Sequence, residues 1–404
     1  MMIPFSPPHI DQKIINEVVD TLKSGWITTG PKTKLFEKKL TAYNGNKCTI
    51  CLSSATAGLE LVLRWFGVKE GDEVILPAYT YSATANVIIH CGAKPVFVDI
   101  NKNDFNISVE NIKKVITSKT KVIMPVDIGG LPCDYDEIND LANNPEIKKL
   151  FSPINENQKK LDRILILSDA AHSLGATYKG KRTGVLADIT VFSFHAVKNL
   201  TTAEGGAIAF NLEPPFDNEE IYNFFNLFSL HGQNKDALAK TQKGKWKYDI
   251  ETAGYKANMT DIAASMGLVE LERYDSDILV KRKHIFDTYS KMFSNYSWAE
   301  LQEYSTNIKK SSCHLFLLRI KSIDEFKRDK IIQNIFEQDV SVNVHFIPVP
   351  LFSFYKKLGY NIDNYPIAYD NFSREISLPV FYDLTDEQIE IVAKSVVNAV
   401  KKII

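Results

Sequence analysis

The chain has 404 residues, 45% of them hydrophobic and 11% aromatic, with a formal net charge of -1. Lysine and arginine are spread along it without a basic patch, and no apolar run is long enough to span a bilayer, so neither nucleic acid nor a membrane is an expected partner. The start, M-M-I-P-F-S-P-P-H-I, lacks the basic and apolar regions of a secretory signal, and Cys48, Cys51, Cys91, Cys133 and Cys313 read as reduced core residues of a cytoplasmic protein. Residues 10–23 have helical periodicity (Ile10, Ile14, Ile15, Val18, Val19, Leu22). A turn-rich loop, S-G-W-I-T-T-G-P-K, exposes Trp26 over 24–32, and a second amphipathic helix covers 33–44. Strands over 48–52, 73–76, 95–98 and 121–126 are each followed by a helix (56–66, 81–91, 108–117, 134–142), and further strands cover 164–167 and 189–194. That alternation predicts an α/β fold, a parallel sheet covered on both faces, with ligands at the carboxyl ends of the strands. The Asn- and Lys-rich stretch 143–163 reads as a surface insertion, and the polar segment 232–256 as a binding or subunit-crossing loop. A single helix is predicted over 260–292. A strand over 313–320, a helix over 323–338, the alternating V-S-V-N-V-H-F-I over 340–347 and a last helix over 386–402 then suggest a compact α+β unit. The predicted division is 1–269 for a large domain and 270–404 for a small one.

The stretch 188–210, D-I-T-V-F-S-F-H-A-V-K-N-L-T-T-A-E-G-G-A-I-A-F, holds a lone lysine, Lys198, in a polar turn between two apolar strands. The strands fix its backbone, and Gly205 and Gly206 admit a flat group closely. Lys198 therefore reads as a Schiff-base lysine for pyridoxal phosphate. Other strand ends supply what that group needs. S-S-A-T-A-G at 53–58 opens a helix and forms a phosphate cradle with Thr56 as an extra donor, although a plain N-cap is the commoner use of such residues. L-S-D-A-A-H-S-L-G at 167–175 sets Asp169 to pair with a pyridinium nitrogen and His172 to donate to the ring oxygen or the phosphate; a capping Asp and a partly exposed His are the structural alternative. L-P-A-Y-T-Y-S-A-T-A-N at 76–86 presents Tyr79 and Tyr81, either of which can stack on a ring or simply fill the core. Ser193, five residues before Lys198, adds a hydroxyl at the same edge. The sequence has no G-x-x-x-x-G-K-[ST], G-x-S-x-G or H-E-x-x-H, so nucleotide-phosphate, serine-hydrolase and metal chemistry are not expected.

On these residues the chain resembles the DegT/DnrJ/EryC1/StrS family of pyridoxal-phosphate sugar aminotransferases. The likeness runs over nearly the whole length, through S-G-W-I-T-T-G-P-K, S-S-A-T-A-G-L-E-L, P-A-Y-T-Y-S-A-T-A-N, G-A-K-P-V-F-V-D-I, S-D-A-A-H-S-L-G-A, S-F-H-A-V-K-N-L-T-T-A-E-G-G and G-Y-K-A-N-M-T-D-I. It implies the aspartate-aminotransferase-like fold type I, with a mostly parallel seven-stranded sheet, and a homodimer with shared active sites. It implies that Lys198 carries the cofactor and shuttles a proton, that Asp169 pairs with the ring nitrogen, that Tyr81 stacks on the ring and that His172 lies near its hydroxyl. Thr56, the backbone at Ala57 and Ser193 would hold the phosphate. In the family the segment matching 254–261 reaches in from the partner subunit, often as G-Y-N-Y-R-M-T. Here Lys256 stands at the Asn position and Asn258 at the Arg position, so either is a candidate phosphate contact. Trp26, Thr28, Thr29, His314 and His345 are the implied nucleotide-sugar contacts, a buried structural role being the alternative for both histidines. The implied reaction moves an amino group from glutamate to a 4-keto nucleotide sugar for surface polysaccharide or glycan synthesis, such as capsule or lipopolysaccharide. The acceptor would be a UDP-4-keto-6-deoxy-N-acetylhexosamine or, alternatively, a UDP-4-keto-pentose of the 4-amino-arabinose pathway. A PLP sugar dehydratase has histidine in place of the lysine, and a non-catalytic regulatory homologue would be expected to lose Lys198 or Asp169; both residues are present.

Overall fold

The computed structural model describes residues 2–234 and 247–404, so the middle of the predicted loop at 232–256 lies outside the described residues. Its visible ends pair with each other, through a bridge between Gln233 and Ile250 and an Asn234 amide donating to the Asp249 carbonyl. The chain begins with α1 (Gln12–Ser24), capped by Asp11 and closed by a left-handed Gly25 at φ 74°. α2 (Pro31–Asn44) starts on a proline, whose missing N–H costs nothing there. There follow β1 (Cys48–Leu52), α3 (Ala55–Trp65), β2 (Glu73–Pro77), α4 (Ser82–His90), β3 (Lys94–Val98), α5 (Val109–Val115), β4 (Thr120–Ile123) and α6 (Tyr135–Asn143). The chain continues through α7 (Pro145–Leu150), α8 (Glu156–Leu161), β5 (Leu165–Asp169), β6 (Thr177–Tyr178), β7 (Lys181–Arg182), β8 (Ile189–Ser193), β9 (Gly206–Phe210) and α9 (Asn218–Phe228).

Seven strands form one sheet in the order β1-β9-β8-β5-β4-β2-β3. Every pairing is parallel except those of β9, which runs antiparallel to both β1 and β8. All five residues of β5 and β9 are buried, which explains why these segments read as continuous apolar runs rather than alternating ones. The main core packs α3, α4 and α6 on one face, while Phe36, Leu40, Ala264 and Leu268 cover the other. The insertion at 143–163 is folded rather than a bare loop. Asn144 and Asn155 cap α7 and α8. Asn155 Nδ2 and the buried Gln158 Nε2 donate to the Phe66 carbonyl at 2.9 and 2.8 Å, which closes the end of α3.

Beyond α9, the helix predicted over 260–292 is two helices, α10 (Asp261–Glu272) and α11 (Leu279–Phe293), separated by a π turn at Tyr274–Ile278. Then come β10 (Ala299–Glu300), β11 (Lys309–Lys310), β12 (Phe316–Ile320), α12 (Glu325–Phe336), α13 (Ser353–Lys357), α14 (Pro366–Arg374), β13 (Glu375–Leu378) and α15 (Asp386–Lys401). A second, antiparallel sheet has the order β10-β12-β13. It shares a core with Phe286, Tyr289, Ile331, Ile389 and Val396. The alternating segment 340–347 is not a strand. Val340 and Asn343 make single bridges, to Ile3 and Ser377. The backbone groups of His345 go to side chains instead, its amide to Glu375 Oε2 at 3.0 Å and its carbonyl to the Tyr79 hydroxyl at 2.5 Å. The chain then returns to the edge of the large sheet. Tyr355 Oη donates to Asn86 Oδ1 at 2.6 Å, Tyr360 Oη to the Pro95 carbonyl at 2.6 Å, and the Ala368 amide to Asp99 Oδ1 at 2.8 Å. All five cysteines are free, four buried and Cys48 half-buried. Among the described residues no helix is long and apolar enough to cross a membrane.

Candidate active site

Lys198 sits in the loop between β8 and β9, whose ends are in register with Ser193 opposite Gly206. The neck of the loop is tied by the Phe194 amide to the Gly205 carbonyl and by the Thr202 amide to the Phe194 carbonyl, both at 2.9 Å. Inside it the Lys198 amide donates to the His195 carbonyl at 2.9 Å, and Phe194 and Leu200 anchor the loop in the core. The lysine is thereby held on a rigid turn, half-buried in the wall of a cavity of about 420 Å³. Burial lowers its ammonium to about 8, against the opposing pull of Asp169.

Asp169 closes β5 on the same cavity. It is 6% exposed, and burial raises its carboxyl; the bonds from Thr84 and Ala171 and the charge of Lys198 act the other way. Thr84 Oγ1 donates to Oδ2 at 2.8 Å and the Ala171 amide to Oδ1 at 3.2 Å. Thr84 is a site residue that the sequence reading missed. It lies in the first turn of α4, four residues after Thr80, which precedes the helix, and the two hydroxyls are 2.8 Å apart, so the T-Y-S-A-T spacing beyond the strand end was the available signal. With Thr84→Val the shape is kept and the donor lost. The expected cost is about 1.5 kcal/mol, roughly tenfold in kcat/KM, at unchanged thermal midpoint.

Thr56, Tyr81, His172, Ser193, His314 and His345 also line this cavity. Thr56 is in the first turn of α3, where Ser54 is the cap and takes the Ala57 amide at 3.1 Å. That amide, predicted to serve a phosphate, is thus spent on the cap, and Ala57 does not line the cavity. By helix geometry the amides of Ala55 and Thr56 have no carbonyl partner inside the helix. Gly206 makes the approach of β9 to this helix end feasible. A Cβ there would fall within 2.5 Å of the Ser54 carbonyl carbon and nearer still to the Ala55 nitrogen, both backbone atoms that cannot yield. Gly206→Ala is expected to cost about 1–3 kcal/mol, read as a lower thermal midpoint together with weaker binding of pyridoxal phosphate.

The rest of the wall joins distant parts of the chain. His172 lies between His314 and Phe346, with ring centroids 4.4 and 5.6 Å away. Its Nδ1 is buried without a hydrogen-bond partner. His314 Nδ1 pairs with Asn199 Oδ1 at 2.8 Å, which ties the lysine loop to the segment before β12. Burial lowers His172 and His314 well below the ordinary imidazole range and His345 to about 4, with Lys198 adding to the effect on each. At neutral pH the lysine therefore faces three uncharged imidazoles. Phe5, Asn343 and Phe346 were not predicted and complete the wall; Phe5 stacks on His345 at 5.3 Å.

Five predicted residues do not reach Lys198 in this chain. Trp26 Nε1 donates to the Thr29 carbonyl at 3.1 Å, and Thr28 accepts the Asp261 amide at 3.0 Å. Lys256 pairs with Leu230 in a backbone bridge, and Asn258 pairs with Leu52 at the end of β1. Asn258 Nδ2 donates to Thr29 Oγ1 at 2.6 Å, and these two line a separate cavity of about 600 Å³.

The DegT/DnrJ/EryC1/StrS aminotransferase family model matches residues 8–152 and 153–397. The chain belongs to that aminotransferase family. A putative sugar aminotransferase from Streptococcus pneumoniae, solved in its PMP form, is 48% identical with a TM-score of 0.96, each chain covered in full. The Bacillus subtilis spore coat polysaccharide biosynthesis protein SpsC is 36% identical over 99% of this chain and 97% of its own. Helicobacter pylori PseC, an aminotransferase involved in pseudoaminic acid biosynthesis, is 27% identical with a TM-score of 0.85, both chains fully covered. The fold is that of the type I PLP-dependent aminotransferases. The family's cofactor is pyridoxal 5'-phosphate, and the S. pneumoniae protein was also solved in its PLP form. The cavity fits that group. The orphaned Nδ1 of His172 is open to a polar partner, Thr56 at the start of α3 and Ser193 at the end of β8 line the cavity with hydroxyls suited to a phosphate, and Lys198 and Asp169 supply an amine and an acid.

Proposed function

We propose that this aminotransferase moves an amino group from glutamate to the keto carbon of a nucleotide sugar, in the making of a surface polysaccharide or glycan. The observation that carries the reading is the pairing of a lowered lysine with a buried, hydrogen-bonded aspartate across one cavity. The sugar and polysaccharide names of the S. pneumoniae and B. subtilis proteins support the acceptor class. Our preferred acceptor is a UDP-4-keto-6-deoxy-N-acetylhexosamine, and the involvement of H. pylori PseC in pseudoaminic acid biosynthesis supports an amino-sugar pathway.

When bound, pyridoxal phosphate supplies an aldehyde that exchanges amines and a ring that draws electrons from the carbon being deprotonated. Asp169, steadied by Thr84 and the Ala171 amide, would pair with the ring nitrogen and keep it protonated. Thr56, Ser193 and the first amides of α3 would take the phosphate, and Tyr81, with its ring exposed at the cavity edge, would cover the ring. Lys198 Nζ would take the proton from the donor's Cα and return it on the other side of the exchange, with its lowered ammonium suiting both tasks near neutral pH. His314 and His345, uncharged, would offer hydrogen bonds to the sugar without repelling the lysine, and His172, also uncharged, would turn its unpaired Nδ1 to the cofactor. Trp26, Thr28, Thr29, Lys256 and Asn258 would serve the Lys198 cavity of a second copy, which makes the homodimer the working unit.

The test is a panel of 4-keto UDP-sugars incubated with glutamate and the holoenzyme, with products read by mass spectrometry. The expected result is amination of the 6-deoxy-N-acetylhexosamine. Amination of the pentose alone, or of no sugar, overturns the preferred acceptor.

A further inference from the structure

We propose that Glu375 and Ser377 are positioning residues that decide, through a two-bond relay, which hydrogen-bonding face His345 turns to the Lys198 cavity. Its kinetic consequence rests on the keto-sugar reading above; the relay itself does not. His345 lines the cavity, and its Nδ1 is 2.9 Å from Ser377 Oγ. Ser377 Oγ is in turn 2.5 Å from Glu375 Oε1. The other carboxyl oxygen, Oε2, accepts the His345 amide at 3.0 Å, so the same glutamate holds both the backbone and the ring of His345. Two backbone bonds between Asn343 and Ser377, at 3.1 and 2.8 Å, keep the two segments together. Glu375 and Ser377 are both fully buried, so water does not scramble the relay.

A serine hydroxyl has one proton, and that fixes the logic. If Glu375 is ionised it only accepts. Ser377 must then donate to Oε1 and accept from Nδ1–H, leaving His345 Nε2 as a bare acceptor for the cavity. If Glu375 carries a proton on Oε1, each bond reverses. Glu375 donates to Ser377, Ser377 donates to Nδ1, and the ring proton sits on Nε2 as a donor. One proton on Glu375 is thus converted into the tautomer of a ring that never becomes charged. Burial raises the Glu375 carboxyl to about 8, opposed by the bonds from Ser377 and the His345 amide and by the charges of Arg328 and Arg319. Among the described residues Arg328 on α12, Arg319 on β12 and Tyr79 beyond β2 act on Glu375, and Lys198, His172 and His314 face His345. The donor tautomer therefore belongs to the lower side of the Glu375 titration. The keto oxygen of the acceptor, which can only accept, is held better there.

Glu375→Gln gives the decisive contrast. Its amide NH2 can donate to Ser377 while its carbonyl keeps the His345 amide, so it copies the protonated glutamate at every pH. Imidazole 15N shifts, with His345 assigned through His345→Gln, report the tautomer on the resting holoenzyme without any sugar. The wild type is expected to pass from Nε2–H to Nδ1–H as pH rises through about 8, in step with the Glu375 value. Glu375→Gln should stay Nε2–H throughout. Ser377→Ala, with the relay cut, should show no pH-dependent change. In kinetics, the wild-type KM for the keto sugar should rise about tenfold over the same interval and that of Glu375→Gln should not, while kcat for the glutamate half-reaction, which follows Lys198, should have the same pH dependence in the two proteins. A wild-type tautomer that does not move with pH, or one that moves equally in Glu375→Gln, overturns the proposal. Because the shifts need no acceptor, a failed sugar panel leaves this test intact.

Discussion

Lys198→Ala is expected to end amine transfer, with a loss of at least about 10⁴-fold in either half-reaction, while the protein stays folded and still binds pyridoxal phosphate weakly. The expectation follows from where the side chain stands. The loop is held at its neck by backbone bonds and anchored by Phe194 and Leu200, so a truncation at 198 removes an amine without removing a support. Among the described residues no other lysine lines the cavity. Four histidines do: His172, His314 and His345 are pushed far toward the neutral form and are weak bases there, and His195 is exposed and turned to Glu204, with Nε2 3.6 Å from Oε1. Lys198→Arg is expected to be as inactive as the alanine variant, because a guanidinium stays charged and cannot accept the proton. Small primary amines added to Lys198→Ala should restore part of the rate, which a merely structural lysine would not allow. The pH dependence has a fixed sign. With its ammonium lowered to about 8, the wild-type lysine is the free amine above that value and the cation below it, so capture of pyridoxal phosphate slows as pH falls through about 8. Stopped-flow absorbance of the wild type across this interval, and of Lys198→Ala as the blank, measures it. Full activity in Lys198→Ala would end the assignment.

What could be read from the sequence divides along physical lines. The large sheet was legible because its strands are buried on both faces and therefore write themselves as unbroken apolar runs, L-I-L-S at 165–168 and A-I-A-F at 207–210. Asp169 was legible because it stands at the end of such a run and Lys198 because it is the lysine of the turn between two of them, and both line one cavity. The break at Tyr274–Ile278 was not legible, because Y-D-S-D-I contains neither Gly nor Pro and nothing local announces a π turn. The segment 340–347 misled because V-S-V-N-V alternates like a strand, whereas the backbone at His345 is claimed by Tyr79 and Glu375, side chains from two distant parts of the chain. The Glu375–Ser377–His345 relay was invisible for the same reason, since its members are 30 residues apart and meet only when β13 is placed. Phe5 stacks on His345 from the N-terminal strap, another contact that topology alone creates. Trp26, Thr29, Lys256 and Asn258 share a different limit: motif likeness names them, but a single chain does not bring them to its own lysine.

Asp169→Asn is the second substitution with a large expected effect, about 10²–10³-fold in kcat, and its value lies in what it leaves alone. Asparagine has nearly the shape of aspartate. Its carbonyl can keep either the Thr84 hydroxyl or the Ala171 amide, so the end of β5 and the start of the loop beyond it should hold. What it cannot do is carry charge. A carboxylate facing a ring nitrogen makes protonation of that nitrogen favourable, and the effect is large where water is scarce; Asp169 is 6% exposed. Remove the charge and the ring loses its pull on electrons, so deprotonation slows in both half-reactions while the KM values for glutamate and for the keto sugar change little. If Asp169 served only as a local cap for the turn that follows β5, the asparagine variant would keep its rate, since asparagine caps as well as aspartate. The pH profile separates the two roles again. Burial raises the Asp169 carboxyl above the ordinary aspartate range, so the wild type loses its negative charge earlier on acidification than an exposed aspartate would. Affinity for pyridoxal phosphate should therefore fall on the acid side in the wild type, and the same titration should show no such step in Asp169→Asn. A matching acid step in both proteins would assign the titration to another group and remove Asp169 from the ring nitrogen.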